Sequence, residues 1–311
     1  MDNGVGNKWG IIYCPRSGSF HPQRKWQKID KCLRSRKIAF DMVQSENPSG
    51  VERLVTMMIN NGYHTIIIVG GDSALNDAVN CLMQVDKSVR DQISLGVIPN
   101  GRTNDFAKFW KIRESDVDQT ISWLQKHRTR RIDLGRIQYT NQKGERCHRY
   151  FLNSLNVGLV ASVMNLRRKT RSLLGSQLLA FIPSSLLLIF QRLDYKMRIK
   201  INTDVINRRV MAVCIGNATG YGMTPNAVPY NGLLDVSVVY HPRVTQLVEG
   251  FYLLFSGKIL NHRDVHPYRT REINFEKANR VPVSVDGRLI NSPVAPYKVS
   301  VVQEVINFLV P

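Results

Sequence analysis

The sequence predicts an α/β domain followed by an antiparallel β domain. Three observations carry that reading. Through the first 133 residues, apolar runs of strand length alternate with amphipathic helices, the pattern of a parallel sheet with helices on both faces. From about residue 134 onward the patterning turns to period two, apolar residues alternating with polar ones. The length of 311 residues, 43% of them hydrophobic, is enough for about two domains with sizeable cores.

The elements follow in order. Residues 10–13 (GIIY) form a short apolar strand that ends at the loop Pro15-Arg16-Ser17-Gly18, and a helix follows around 21–35. Val51, Leu54, Val55, Met58 and Ile59 fall at i, i+3, i+4, i+7 and i+8, an amphipathic helix that Asn61-Gly62 stops. Residues 65–69 (TIIIV) are rich in β-branched side chains and read as a buried parallel strand. After a Gly-Gly-Asp turn, Ala74, Leu75, Ala78, Val79, Leu82 and Met83 mark the next helix. Residues 95–98 (LGVI) are the next buried strand, with a loop and helix at 99–110. In the second half Met197, Ile199 and Ile201 alternate with Lys and Arg, and 210–215, 234–240, 272–275, 281–285 and 299–302 look similar. A helical region near 159–191 and a helix marked by Val244, Leu247, Val248, Phe251, Tyr252 and Phe255 interrupt these strands. The expected domains are 1–133 and 134–311, the last strand being a candidate to return to the first domain.

Composition narrows the function. Lys and Arg number 43 against 24 Asp and Glu, a formal charge of +19, which implies polyanionic company: nucleic acid, an anionic lipid surface or phosphorylated substrates. No zinc-finger spacing, RNP-like aromatic strand or heptad with a basic region is present, so nucleic acid is not expected as a partner. A basic cluster at Arg167, Arg168, Lys169 and Arg171 precedes an apolar stretch at 178–190, a pairing that suits a peripheral helix on an anionic membrane surface and equally an ordinary core helix with a basic neighbour. That stretch is broken by Pro183 and is too short for a span of about 20 residues. Five scattered Cys make no disulfide framework, and the first residues lack the pattern of a secretory signal. The expectation is a soluble, cytoplasmic protein that contacts the inner membrane face peripherally. An exposed strand edge in the β domain would allow a homodimer.

The chemistry concentrates in two strand–turn–helix segments. In 65–83, Gly70 and Gly71 remove side chains at the carboxyl end of a parallel strand, so backbone N–H groups can approach a phosphate while the next helix adds its dipole. In 95–110, Pro99 and Gly101 shape a second loop, and Asn104 and Asp105 are expected to cap the helix that follows. Either turn alone is commonplace; together they predict a nucleotide or phosphate crevice. There is no GxxxxGK[ST], no GxGxxG and, around Ser73, no GxSxG, which disfavours a P-loop, a dinucleotide site and a hydrolase. His262 and His266 stand four apart without an obvious third ligand, and a surface or structural role suits them better than metal.

These segments, in their order, resemble the diacylglycerol kinase catalytic-domain family of bacterial lipid kinases and sphingosine and ceramide kinases. Pro15 to Gly18 resembles N-P-x-S-G; VGGDSALNDAVN at 69–80 resembles V-GGD-GTxNEVVN; IPNGRTNDFA at 98–107 resembles xPxGTxNDFA. IDLG at 132–135, FLNSLNVGL at 151–159, IGN at 215–217, NGLLDV at 231–236, VDGR at 285–288 and FLVP at 308–311 follow. The resemblance implies a Rossmann-like α/β nucleotide-binding domain, a C-terminal antiparallel β-sandwich, a site in the cleft between them, and transfer of the γ-phosphoryl group of ATP to a lipid hydroxyl, with Mg²⁺. It implies nucleotide contacts at Ser45, Gly70, Gly71, Asp72, Ser73, Ala74, Leu75, Asn76, Gly101, Arg102, Thr103, Asn104 and Asp105, with Asp72 also near the metal. Asp286, in a turn between predicted strands, is the candidate base, although Asp-Gly is also an ordinary turn pair.

The departures bear on activity. Ala74 and Arg102 stand where the family has Thr, and arginine there would clamp phosphate by charge. Asn231 replaces an Asp that, with the carbonyls at Val228 and Leu233, holds a structural Mg²⁺ in relatives; losing a carboxylate weakens such a site. Arg288 replaces the Glu of DGE, which has a catalytic proton-acceptor role in some relatives and which arginine cannot assume. Two readings follow: an active lipid kinase with altered nucleotide contacts, or a catalytically degenerate nucleotide- or lipid-binding relative with a regulatory role. A soluble-substrate kinase of the NAD-kinase type shares the GGD turn, but the DGLLDV-like and VDG-like segments argue against it.

Overall fold

The computed structural model describes residues 8–15, 22–46, 50–101, 104–162, 194–219, 222–240, 244–278, 280–290 and 293–311. In chain order the elements are β1 (Trp9–Tyr13), α1 (Pro22–Ser35), β2 (Phe40–Gln44), α2 (Val51–Asn60), β3 (Thr65–Gly70), α3 (Asp72–Leu82), α4 (Lys87–Arg90), β4 (Ser94–Pro99), α5 (Asp105–Phe109) and α6 (Val117–Gln125). Then come β5 (Thr129–Thr140), β6 (Arg146–Phe151), β7 (Ser154–Gly158), β8 (Tyr195–Ile201), β9 (Asp204–Val210), β10 (Ala212–Gly216), β11 (Leu234–Val239), α7 (Val244–Phe255), β12 (Val265–Thr270), β13 (Glu272–Lys277), β14 (Val283–Val285), β15 (Arg288–Ile290) and β16 (Val294–Leu309). The chain divides into two compact units, Met1–Asp133 with Gln303–Pro311, and Leu134–Val302.

In the first unit the strands run β2-β1-β3-β4-β16, and neighbouring strands pair in parallel. Period-two alternation divides each strand between two faces. Ile11, Tyr13, Ile67 and Val69 pack with Ile29 and Leu33 of α1 and Ile121 and Leu124 of α6. On the other face α2 comes so close that a Cβ on Gly10 would lie 2.8 Å from Met58 Sδ. This is the doubly covered parallel sheet that the continuous apolar strands predict. The half-buried β2, at its edge, lacked a clear sequence pattern.

The second unit is a β-sandwich. One sheet contains β16-β13-β8-β9, the other runs β12-β11-β10-β7-β14-β15. Met197, Ile199, Ile201, Ile273, Phe275 and Val299 from the first meet Leu155, Val157, Val213, Ile215, Val236 and Val283 from the second in one buried core. The single strand expected over 210–215 is instead two, parted at Met211, where the chain leaves one sheet for the other. Of the helical region expected near 159–191, only 159–162 lie within the described residues, and they are helical. The basic cluster from Arg167 to Arg171 lies outside them. No helix among the described residues is long and apolar enough to cross a membrane.

Gly135, the last residue of the IDLG segment, pairs with Phe151 across β5 and β6. A Cβ there would lie 1.9 Å from Phe151 Cζ, so the ring lies directly over the bare backbone. Gly135→Ala forces the fully buried Phe151 aside and should cost about 3 kcal/mol of stability. Urea denaturation of the variant checks this; an unchanged midpoint would refute the packing argument.

Candidate functional site

The carboxyl ends of β3 and β4 carry the two glycine loops. The strands stay paired to their last residues, Gly70 opposite Pro99, and Asn100 N donates to the Gly70 carbonyl at 2.8 Å. Beyond that point the loops touch backbone to backbone. A Cβ on Gly71 would lie 2.8 Å from Gly101 Cα, and one on Gly101 would lie 2.4 Å from Gly71 Cα. Neither position has space for a side chain, which is the physical reason for glycine at both.

Asp72 opens α3, and its carboxylate joins the loops. Oδ2 accepts from Asp105 N at 2.9 Å and Oδ1 from Phe106 N at 3.0 Å, so it caps α5 from a distance in sequence of more than 30 residues. This corrects the capping expected of Asn104 and Asp105. Asn104 adopts a left-handed conformation, which asparagine tolerates. Its side chain turns back, Oδ1 accepting from Gly101 N at 2.8 Å and Nδ2 donating to Gly101 O at 2.7 Å. Asp105 is the first helical residue, its carboxylate 3.8 Å from Lys108 Nζ.

Other expected nucleotide contacts are placed differently. Ala74 N and Leu75 N return to the Gly71 carbonyl, at 3.0 and 3.1 Å, so neither amide is open to a phosphate. Leu75 and Asn76 are each 1% exposed, and Asn76 Oδ1 accepts from Asn80 Nδ2 within the helix. These three residues therefore build α3 rather than the loop surface. Ser73 lies in the first turn of α3. Ser45 follows β2 and is buried, its N–H donating to Tyr13 O at 2.8 Å. Arg102 and Thr103 lie outside the described residues. Sequence reading missed Asn100, fully buried between the loops, whose Nδ2 donates to Cys14 O at 3.2 Å. Its signal was a polar residue directly after a buried strand. Burial, with the nearby Asp77 carboxylate, pushes the Cys14 thiol up to about 12, so it stays protonated at neutral pH.

Asp286 and Arg288 belong to the β14–β15 hairpin of the second unit. Asp286 is 4% exposed and has positive φ. Its Oδ2 accepts from Leu152 N at 2.8 Å, and its Oδ1 from Asn153 N at 3.0 Å and Ser154 N at 2.9 Å. Three N–H groups on one carboxylate hold the start of β7 in place. Taking a proton would disrupt that clamp, so the geometry gives Asp286 a positioning task and argues against its expected use as a base. Asn217, also missed from sequence, completes this corner by donating from Nδ2 to Leu152 O at 3.0 Å. Arg288 begins β15.

The turn expected to hold a structural Mg²⁺ does not fit the ion. Asn231 Oδ1 accepts from Leu233 N at 3.0 Å and the Val228 carbonyl accepts from Tyr230 N at 2.8 Å. The turn closes on its own amides, and its donor set of an amide and carbonyls lacks the carboxylate such a hard cation favours. Asp72 likewise has both oxygens on backbone amides.

An isosteric change separates clamps from acids and bases. Asp72→Asn and Asp286→Asn each place an NH₂ against backbone donors and should cost about 2–4 kcal/mol of stability, read by urea denaturation. A residue serving only as a base would lose activity with stability intact.

Residues 8–137 match the family described as the diacylglycerol kinase catalytic domain, and residues 153–310 match the YegS C-terminal NAD kinase beta sandwich-like domain. The chain is 21% identical over 286 residues to a diacylglycerol kinase of Staphylococcus carnosus (strain TM300), covering 89% of this chain and 87% of that protein. It is 24% identical over 232 residues to a diacylglycerol kinase of Bacillus subtilis (strain 168), covering 73% and 69%. The crystal structure of a diacylglycerol kinase from Bacillus anthracis str. Sterne superposes with a TM-score of 0.69 at 15% identity, covering 98% of this chain and 97% of that one. With a parallel α/β unit that carries paired glycine loops, a second unit that is a β-sandwich and both family matches in order, the chain belongs to the diacylglycerol kinase catalytic-domain family of lipid kinases with a YegS-type C-terminal domain.

Proposed function

We propose that this enzyme transfers the γ-phosphoryl group of ATP to a hydroxyl of a lipid of the diacylglycerol, sphingoid-base or ceramide class. The observation that carries the reading is the contact of Gly71 with Gly101 beside the N-terminus of α3. Two stretches of backbone without side chains, next to the positive end of a helix, suit phosphate oxygens. In the reaction the bond from the γ-phosphorus to the bridging oxygen of ATP breaks and the acceptor oxygen bonds to phosphorus. The hydroxyl proton passes to solvent, and ADP and the lipid phosphate leave. The transition state of such transfers is loose and asks for positioning and charge more than for a strong base. That suits a chain with Arg288 in place of Glu and with Asp286 engaged by three amides. A net charge of +19 favours both the nucleotide and an anionic membrane surface, which the enzyme would meet peripherally.

Radiolabelled ATP with magnesium, offered with diacylglycerol, sphingosine and ceramide in mixed micelles, should yield a labelled lipid. Gly71→Ala should weaken ATP binding more than about tenfold, because backbone on the facing loop must move. ATP binding without labelling of any lipid would favour the regulatory reading; neither binding nor labelling would overturn both.

A further inference from the structure

The carboxylates of Asp72, Asp105 and Glu114 stand around the second glycine loop, and each has a partner. Asp72 accepts from the amides of Asp105 and Phe106. The Asp105 carboxylate lies 3.8 Å from Nζ of Lys108, whose side chain is 64% exposed. Glu114, between α5 and α6, reaches the loop through Asn104. Its Oε2 accepts from Asn104 Nδ2 at 3.4 Å, and that same amide group donates to Gly101 O at 2.7 Å. Its Oε1 pairs with Lys25 Nζ, which comes from α1 and is 89 residues away in sequence.

The Lys25–Glu114 pair is not an ordinary surface pair. The Lys25 side chain is 13% exposed, on a helix whose Arg24, Lys28 and Lys31 are exposed. A lysine held this way gives up rotamer freedom and hydration. Glu114, at 46% exposure, would be hydrated without it, so solvation of the carboxylate does not call for the lysine. Hydration alone leaves the negative charge of Glu114 in place. Charges a few ångströms apart beside a partly buried loop interact strongly, since little water lies between them to screen them. If the loop receives phosphates, an uncompensated Glu114 opposes them.

We propose that Lys25 is an affinity-determining residue for the nucleotide: its ammonium cancels the charge that Glu114 brings to the second glycine loop. Polyphosphate then meets the bare backbone of Gly71 and Gly101 without an opposing carboxylate. Lys25 acts through Glu114 and not on the phosphates themselves. Glu114 in turn braces Asn104, and through it Gly101, from outside the loop. The inference rests on the ATP-binding reading.

Calorimetric titration of the full chain with ATP and magnesium, alongside Tm, tests it. Lys25→Met should weaken ATP binding about tenfold or more and leave Tm unchanged. The double variant Lys25→Met/Glu114→Gln should return to within about threefold of the parent, because glutamine keeps an oxygen for Asn104 and carries no charge. Glu114→Gln alone removes the carboxylate charge, leaves the ammonium, and should tighten ATP binding about threefold or more. It carries the test if Lys25→Met does not fold. ATP binding unchanged in Lys25→Met or in Glu114→Gln overturns the inference and leaves ATP binding itself intact. A loss in Lys25→Met that the double variant does not restore also overturns it and places Lys25 on the phosphates. A loss accompanied by a fall in Tm overturns it and assigns Lys25 to the packing of α1. A parent chain that binds no ATP removes the ATP-binding reading and this inference with it.

Discussion

Two glycines that meet without space for a single methyl group fix the first unit's working end. Gly71 and Gly101 can approach this closely only because β3 and β4 remain in register to their last residues and deliver both loops at one height. The Asp72 carboxylate then holds the second loop's helix by its first amides, and Asn104 folds the loop back on Gly101. What Gly71 and Gly101 themselves present at this end is bare backbone, whose fixed dipoles would meet an anion without rearrangement on the function proposed above.

The second unit solves a similar problem with the same device. Asp286 gathers three amides where Asp72 gathers two, and in each case one side chain orders a strand or helix terminus far along the chain. In a protein of net charge +19, these acids serve the fold's own N–H groups. That explains why the Asp-Gly pair of the hairpin cannot be read as a catalytic base from its sequence setting alone.

The parallel half of the fold was legible because its strands are buried on both faces and their apolar runs are uninterrupted, as at Ile66, Ile67 and Ile68. Strands with mixed surroundings were not: β2 is half-buried up to its exposed last residue, Gln44, and β12 exposes His266, Pro267 and Arg269. Met211 shows no local signal that a continuous period-two stretch passes from one sheet to the other. At the site, glycine and aspartate positions were visible as chemistry but not as geometry. Sequence displays a carboxylate; only tertiary pairing tells whether it faces a ligand or a row of amides. Leu75 and Asn76 were misjudged for the same reason, since a motif's neighbours are carried along with it even when they point into the core.

The placement of β16 has a consequence for how the polypeptide matures. Asn307 and Phe308 add to the first unit's sheet beside Ser94 and Leu95, Phe308 stacks on Trp110, and Glu304 N donates to Asp133, 171 residues earlier. During synthesis the first unit waits for this strand while every residue between β4 and β16 is made. Its unfinished edge at β4 is open through that interval, in which chaperone capture and mispairing compete with folding.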